Sequence, residues 1–149
     1  MEKLTVTPIG HVRNAATPDT RSEDFRRLVS EIVVAPEYAD GLMDVEENER
    51  LTILFYFDRN GGEYRLRLHP RGDASRPITG VFNTRSQFRP SPLGVTVVKL
   101  KERKGNTLVV EGLDALDGTP VLDIKPFVRT FDTGEEIDDP GKDRARRPR

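Results

Sequence analysis

The feature that most constrains this fold is a pair of β-branched segments separated by one turn signal. The segment GVTVVKLKE (94–102) is followed by RKGN and then by TLVVEGLD (107–114). Valine and threonine favour strands, and the Gly105-Asn106 pair supplies a tight turn between the two segments. The pattern therefore predicts a β-hairpin.

Four other segments have the composition or the period of strands. Leu51–Phe57 (LTILFYF) is apolar and aromatic, which predicts a more fully buried strand. In EYRLRLH (63–69) apolar residues alternate with arginines, which predicts a half-buried strand. PVLDIKPF (120–127) and LTVTPIGHV (4–12) predict two more, and Pro8 places the last of these at an edge or a bulge.

Helical patterns are few in this chain. The segment APEYADGLMDV (35–45) places Tyr38, Leu42 and Val45 on one face of a predicted helix. The segment SEDFRRLVSEI (22–32) has some helical spacing but is short. The predicted fold is therefore mainly β: a single-domain, closed antiparallel β-barrel with one or two short helices.

The composition excludes several kinds of site. The chain has 149 residues, no cysteine and only two histidines, His11 and His69. Disulfides, thiolate metal sites and a cysteine nucleophile are excluded, a structural zinc site is disfavoured, and we expect no metal. No apolar run reaches the length of a membrane span, and the first residues lack a signal-peptide pattern. We therefore expect a cytoplasmic protein that does not contact a membrane.

Charge is distributed unevenly along the chain. The net charge is −1, but the last eight residues, KDRARRPR, carry a charge of +4 and follow the acidic segment TGEEIDDPG. We therefore predict a barrel domain over residues 1–134 and an acidic-then-basic, poorly ordered tail over residues 135–149. The alternative for the tail is a basic arm that contacts a polyanion.

Motifs of several common enzyme classes are absent, and two segments with binding chemistry remain. There is no Walker P-loop, no GxGxxG after a strand and no GxSxG elbow. In NTRSQFRPSPLG (83–94), Arg85 and Arg89 lie among hydroxyl groups, and two prolines stiffen the backbone. This segment is either a preorganised set of donors for a carboxylate or phosphate, or a stiff loop whose arginines pair with acidic residues. The second segment, Asp117–Pro120, is a strong β-turn signal.

Taken together, these two segments resemble one known family. GVFNTRSQFRPSPLGVTVVKL, followed by LDALDGTPVLDIKPF, resembles the TsaA-like family, the group that includes tRNA methyltransferase O. The N-terminal PIGHVRN is similar to the opening strand of that family, so the resemblance runs from about Thr7 to Phe127. It implies a β-barrel methyltransferase that uses S-adenosylmethionine and forms a homodimer. It also implies a substrate, N6 of threonylcarbamoyl-adenosine in tRNA near the anticodon.

The resemblance also implies site residues by position. The positions that match the cofactor-binding residues of the family are Arg89, Arg85, Ser86, Asp117, Gly118, Thr119 and Pro120. Asp58 and Arg59 follow the strand predicted at residues 51–57, where family members also make cofactor contacts, although the local residues differ. A general base is not evident, and the catalytic candidates are Asp123 and Lys125. The loop from Arg13 to Arg21 has no secure alignment with the family. Ser91 stands where the family usually has Asn, which leaves the RNA target open.

Two other functions also remain open. One is a non-catalytic barrel that binds adenosine or RNA, although the low number of aromatic residues weakens it. The other is a methyltransferase that acts on a small molecule. If the partner is RNA, we expect its phosphates to contact the C-terminal arm and four arginines, Arg65, Arg67, Arg71 and Arg76. The near-neutral net charge predicts that tRNA binding is weak but specific.

Overall fold

Eight strands and two short α-helices form in the computed structural model, which describes residues 1–148. The strands are β1 (Gly10–Arg13), β2 (Val29–Val34), β3 (Arg50–Tyr56), β4 (Arg67–Leu68), β5 (Thr79–Gly80), β6 (Leu93–Lys104), β7 (Thr107–Glu111) and β8 (Pro120–Pro126). The α-helices are α1 (Ser22–Phe25) and α2 (Arg129–Thr133). The 3-10 helices are Pro36–Leu42, Val45–Glu47, Pro70–Gly72, Val81–Asn83 and Pro140–Lys142.

Six of the strands close into a barrel in the order β1-β2-β7-β6-β3-β8, and β4 pairs with β5 in a separate sheet. Alternate residues of the barrel strands point inward, because side chains alternate across a strand. On β2, Ser30, Ile32 and Val34 are at most 1% exposed, and on β3 Leu51 and Ile53 are 0% exposed. Each buried aliphatic side chain stabilises the fold by roughly 1.5–3 kcal/mol.

The predicted barrel and its hairpin are confirmed. β6 and β7 pair antiparallel, with Lys104 opposite Thr107 beside the turn. Gly105 has a φ of 60°, a conformation that carries no steric penalty for glycine. β3 and β8 lie where the segments 51–57 and 120–127 predict strands.

The strand predicted at residues 63–69 is wrong in its extent and burial. Only Arg67–Leu68 pairs, with Thr79–Gly80 opposite. Tyr64 and Leu66 are 58% and 61% exposed. Because these two side chains remain mostly in solvent, the alternation of the segment does not reflect a half-buried strand.

The predicted helix after residue 34 forms 3-10 turns, Pro36–Leu42 and Val45–Glu47, and no α-helix. Of the expected inward face, Leu42 is 3% exposed but Tyr38 is 39% exposed. Asp44 separates the two turns with a φ of 64°, in the left-handed region. The helical spacing of the segment therefore does not extend into a regular helix.

Two other boundaries differ from the sequence prediction. The helical spacing at residues 22–32 covers only α1, and the strand β2 begins at Val29 without having been predicted. The N-terminal strand is shorter than predicted, because β1 begins at Gly10. Ile9 still exchanges backbone hydrogen bonds with Val121 and Ala35 just outside β1, at 2.8 Å each.

The chain divides into two compact units. We call residues 1–55 and 95–149 the barrel unit, and residues 56–94 the insert unit. The insert unit contains β4, β5 and the 3-10 helices near residues 70 and 81. None of the helices within residues 1–148 is long and apolar enough to cross a bilayer.

The C-terminal residues contact the barrel unit. The backbone N–H of Arg147 donates to the carbonyl of Glu47 at 2.7 Å, and Ala145 O accepts from the N–H of Glu49 at 2.8 Å. Arg144 Nη2 donates to Asn48 Oδ1 at 2.8 Å. These bonds give the described part of the tail a docked position, and its poor order in solution stays a prediction; Arg149 lies outside the described residues.

Candidate functional site

The Asp117–Pro120 turn is fastened to the first strand of the barrel unit. The N–H of Gly118 donates to Val12 O at 2.7 Å, and the N–H of Val12 donates to Thr119 O at 2.9 Å. Gly118 has a φ of 82°, which a side chain would strain, and Thr119 is only 4% exposed. The backbone of the predicted turn is therefore fixed to β1 at its two central residues.

The side chain of Asn14 uses every polar atom to connect the loop after β1 with β2 and with the segment just before the turn. Its Nδ2 donates to Ser30 Oγ and to Ala115 O, both at 2.9 Å, and its Oδ1 accepts from the N–H of Ala16 at 2.9 Å. Its backbone N–H donates to Asp117 Oδ1 at 2.9 Å. The unaligned loop after β1 thus meets the predicted cofactor turn at Asn14. Sequence reasoning did not single out this residue, although it is the last residue of the PIGHVRN segment that resembles the opening strand of the family.

Arg13 adds positive charge on the same side of the Asp117 turn. Its guanidinium pairs with Glu31 at 2.8 Å. The hydrogen bond to Glu31 raises the pKa of Arg13, with smaller contributions from the charges of Glu31 and Asp117, and the same bond lowers the pKa of Glu31. Both side chains are more than a third exposed, so solvent screens the pair and its effect on stability is small.

In the insert unit, Arg89 organises the loop that carries the other predicted cofactor residues. Its Nη1 donates to Thr84 O at 3.0 Å and to Ser86 O at 3.2 Å. Ser86 Oγ in turn accepts from the N–H of Phe88 at 3.1 Å. One nitrogen of the guanidinium therefore holds the loop in a compact turn, a structural role that the sequence did not predict for Arg89.

A buried amide joins two predicted segments of the insert unit. Asn60, which is 6% exposed, donates from Nδ2 to Gln87 O at 3.1 Å and accepts from the N–H of Gly62 at 2.9 Å. Asp58 and Arg59 precede it and are exposed. The insert unit thus brings the turn after β3 beside the loop of Arg85, Ser86 and Arg89. The predicted cofactor residues form two sets, one in each unit.

The two catalytic candidates pair with each other on β8. Lys125 Nζ lies 2.8 Å from Asp123 Oδ2, and this hydrogen bond raises the pKa of Lys125. A raised pKa keeps a lysine protonated at neutral pH, so its amine is not available to accept a proton. Asp123 Oδ1 also accepts from the N–H of Ile124 at 2.9 Å. The arrangement has the features of an ordinary surface ion pair, and the catalytic role of both residues stays a prediction.

A cavity of about 650 Å³ lies in the barrel unit but contains none of the predicted cofactor residues. Its walls come from the 3-10 helices after β2, from β8 and from the C-terminal segment. Five carboxylates and two arginines line it: Glu37, Asp40, Asp44, Glu47, Asp123, Arg144 and Arg146. Apolar side chains line it as well, and because none of the predicted cofactor residues borders it, we do not assign the cofactor to this cavity.

Comparisons with known proteins identify relatives over most of the chain. Residues 11–133 match the family model of the tRNA-methyltransferase O N-terminal domain. An S-adenosyl-L-methionine-binding protein of Archaeoglobus fulgidus is 37% identical over 138 residues, which cover 91% of this chain and 97% of that protein. The tRNA (adenine(37)-N6)-methyltransferase of Mus musculus is 40% identical over 146 residues, which cover 90% of this chain and 33% of that protein.

A solved structure agrees with these sequence relatives. The crystal structure of TrmO from Pseudomonas aeruginosa superposes with a TM-score of 0.71 at 28% identity, covering 99% of this chain and 66% of that chain. The overlap with some relatives is partial: this chain spans 29% and 56% of the length of two other archaeal relatives.

Proposed function

This chain belongs to the family of the tRNA-methyltransferase O N-terminal domain, and on that premise we propose that it is an S-adenosylmethionine-dependent tRNA methyltransferase. The observation that carries the proposal is the family match over residues 11–133, because this range contains both the Arg85–Arg89 loop and the Asp117–Pro120 turn. The finer substrate is N6 of threonylcarbamoyl-adenosine near the anticodon. The name of the mouse relative, which specifies N6 of an adenine in tRNA, supports this choice.

Each of the two sets of predicted cofactor residues, taken by itself, has donors whose chemistry suits S-adenosylmethionine. Guanidinium groups suit a carboxylate, so Arg85 would hold the methionine end, and Arg89 would help hold it while keeping the loop folded. The fixed backbone and the carboxylate of the Asp117 turn suit the hydroxyl and amine groups of an adenosine. When bound, S-adenosylmethionine supplies an electrophilic methyl group on a sulfonium.

The residues of the chain contribute alignment more than acid–base chemistry. Asn14 fixes the position of the Asp117 carboxylate, and Asn60 fixes the loop that carries Arg85. Holding both reactants in a reactive geometry can supply roughly 7–11 kcal/mol of a barrier. Since Lys125 is held in its charged form by Asp123, we assign no proton transfer to that pair.

We also propose that the protein is a cytoplasmic homodimer. On β6, Val95 and Val97 alternate with more buried residues and are each 41% exposed, so they form an apolar stripe on the outside of a strand. This apolar stripe is the surface that we assign to the contact between the two copies. Analytical ultracentrifugation at micromolar concentration tests whether the protein is a dimer. Val97→Lys should shift the population toward monomer. A variant that remains a dimer would count against this surface.

A second candidate function has one observation in its favour. The Archaeoglobus fulgidus relative is similar in length to this chain, and its name specifies only binding of S-adenosyl-L-methionine. A binding module without methyl transfer is therefore the alternative. Such a binding module would use the same cofactor residues as the enzyme and would transfer no methyl group to tRNA.

Calorimetric titration tests the cofactor proposal. We expect micromolar binding of S-adenosylmethionine at one site per chain, with adenosine and ATP as controls that bind more weakly. Arg85→Ala should weaken binding, whereas Arg27→Ala, an exposed arginine of the barrel unit, should not. Equal binding of all three compounds would contradict the proposal.

A further inference from the structure

The insert unit has a net positive charge, although the chain as a whole is close to neutral. Residues 56–94 contain seven arginines, no lysine and three acidic residues, a net charge of +4. Since the whole chain has a net charge of −1, the remaining residues carry −5. Every arginine of the insert unit except Arg89 is exposed. A concentrated basic surface on an otherwise acidic protein is the electrostatic signature of a polyanion site.

Ion pairing leaves much of this charge available. Arg76 pairs with Asp73 at 3.6 Å, and both side chains are about half exposed. Within residues 1–148, Arg67 and Arg71 form no ion pair. Arg67 lies on β4, whose short pairing with β5 fixes its backbone. Among the described residues, no carboxylate therefore neutralises these two arginines.

Arg71 is also held in an unusual backbone conformation. Its φ of 57° and ψ of 21° are left-handed, a region that residues with a Cβ disfavour. The surrounding loop is fastened by a 2.6 Å hydrogen bond between His69 Nδ1 and Arg76 O and by Asp73 Oδ1, which accepts from Ser75. Glycine or asparagine would suit this position better for folding alone, so the arginine points to a function at the loop tip.

Exposed aromatic rings accompany the arginines. Tyr64 and Phe82 are 58% and 77% exposed. The Arg65 guanidinium lies 5.8 Å from the centroid of the Phe88 ring. Aromatic and guanidinium planes stack on unpaired bases, whereas a duplex offers mainly its backbone and groove edges. The combination favours the unpaired nucleotides of an RNA loop over an RNA helix.

The other basic segment of the chain is less suited to a polyanion. In the C-terminal residues, Arg144 donates to Asn48 Oδ1, and Arg147 donates to Leu100 O. These two arginines are therefore used to hold the segment on the barrel unit. The basic arm that the sequence offered as a polyanion contact is thus the weaker of the two basic surfaces.

We propose that the insert unit is the RNA-docking surface of this protein. In it, Arg67 and Arg71 contact backbone phosphates, and Phe82 stacks on an unpaired base of a tRNA loop. This inference rests on the proposed function, because it takes tRNA to be the partner. It assigns RNA recognition to residues that are not among the predicted cofactor positions.

The test compares tRNA binding by matched arginine variants. The double variant Arg67→Gln/Arg71→Asn removes two charges, and asparagine tolerates the left-handed conformation at position 71, so the fold should be retained. Arg27→Gln removes an exposed arginine of the barrel unit as the control. Phe82→Ala removes the exposed ring without changing charge. Circular dichroism and S-adenosylmethionine titration establish that each variant is folded and binds cofactor.

For the double variant we expect tRNA affinity to fall roughly tenfold at physiological salt. The slope of log affinity against log salt should become shallower by about 1.4, or about 0.7 per lost contact with single-stranded phosphates. Phe82→Ala should weaken binding with little change in slope, because stacking is not electrostatic. Arg27→Gln should bind tRNA like the wild type.

Each remaining outcome counts against the proposal in a distinguishable way. A double variant that binds tRNA no worse than Arg27→Gln overturns the docking surface, even where cofactor binding is intact. Variants that change the oligomeric state and leave tRNA affinity unchanged assign the surface to a second copy of the chain. A wild-type chain that binds S-adenosylmethionine but no RNA overturns the inference, whereas one that binds neither refutes the proposed function itself.

Discussion

Replacing Asn14 with alanine tests whether the Asp117 turn is held by a single amide. The substitution removes hydrogen bonds to Ser30, Ala115 and Ala16, each 2.9 Å long. Each such bond contributes about 0.5–1.5 kcal/mol net, so the full loss amounts to about 3 kcal/mol. Since Asn14 is half-buried, water replaces part of this loss. We expect Asn14→Ala to lower the free energy of unfolding by about 2 kcal/mol.

Thermal and urea unfolding measure this change, and a fall of about 6 °C in Tm corresponds to about 2 kcal/mol for a chain of this size. Asn83→Ala is the matched control, because Asn83 is exposed and makes one side-chain bond, to Thr79 at 3.2 Å. It should change stability by less than about 0.5 kcal/mol. Asn14→Ala keeps the backbone bond to Asp117 but loses the side-chain bond to Ala115 O, just before the turn, so it should also weaken S-adenosylmethionine binding. A variant as stable as Asn83→Ala, with unchanged cofactor affinity, would refute this reasoning.

Three further predictions concern charged residues. Arg89→Ala should lower both stability and cofactor affinity in parallel titrations, because the loop loses two hydrogen bonds, and a normal affinity would remove Arg89 from the site. Because Arg13 lowers the pKa of Glu31, the pair stabilises the fold above the ordinary pKa of a glutamate, and this stabilisation is lost as the pH falls through the lowered pKa. The free energies of unfolding in urea of Glu31→Gln and wild type should therefore differ less at pH 3 than at pH 7. A difference that is the same at both pH values would contradict this prediction. Lys125→Gln should leave the pH profile of methyl transfer unchanged, since Lys125 is held charged by Asp123, whereas loss of one limb of the profile would make Lys125 the base.

The sequence predicted those strands whose apolar residues face one core. β3 and the β6–β7 hairpin consist of long segments rich in β-branched and apolar residues, and a glycine turn joins β6 to β7. Their local preference for strands therefore agrees with their environment in the barrel. The strand β2 was missed because it follows the helically spaced residues of α1 without a turn signal. Its identity depends on the barrel, where Ser30, Ile32 and Val34 become inward positions.

In the candidate site, too, local sequence features were predictable and long-range contacts were not. The Asp117–Pro120 turn was readable because its residues are adjacent in sequence. Asn14 and Asn60 were not, because their partners lie far along the chain: Ala115 is 101 residues from Asn14, and Gln87 is 27 residues from Asn60. A buried amide gains meaning only from the atoms that the fold brings to it.

The arginines of the insert unit could be counted from the sequence, but their roles could not be separated. In the sequence, nothing distinguishes the role of Arg89 from that of Arg71. The fold uses Arg89 to close its own loop and holds Arg71 exposed in a left-handed conformation. Backbone conformation and hydrogen bonding, both set by tertiary structure, make this difference.

Methyl transfer to tRNA tests the central claim most directly. Purified protein is incubated with S-adenosylmethionine carrying a labelled methyl group and with tRNA that has or lacks the threonylcarbamoyl modification, and the label is located by nucleoside analysis. We predict a label on N6 of the modified adenosine, and only in the tRNA that carries the modification. Binding of S-adenosylmethionine without any label in tRNA would contradict it and leave a binding module in its place.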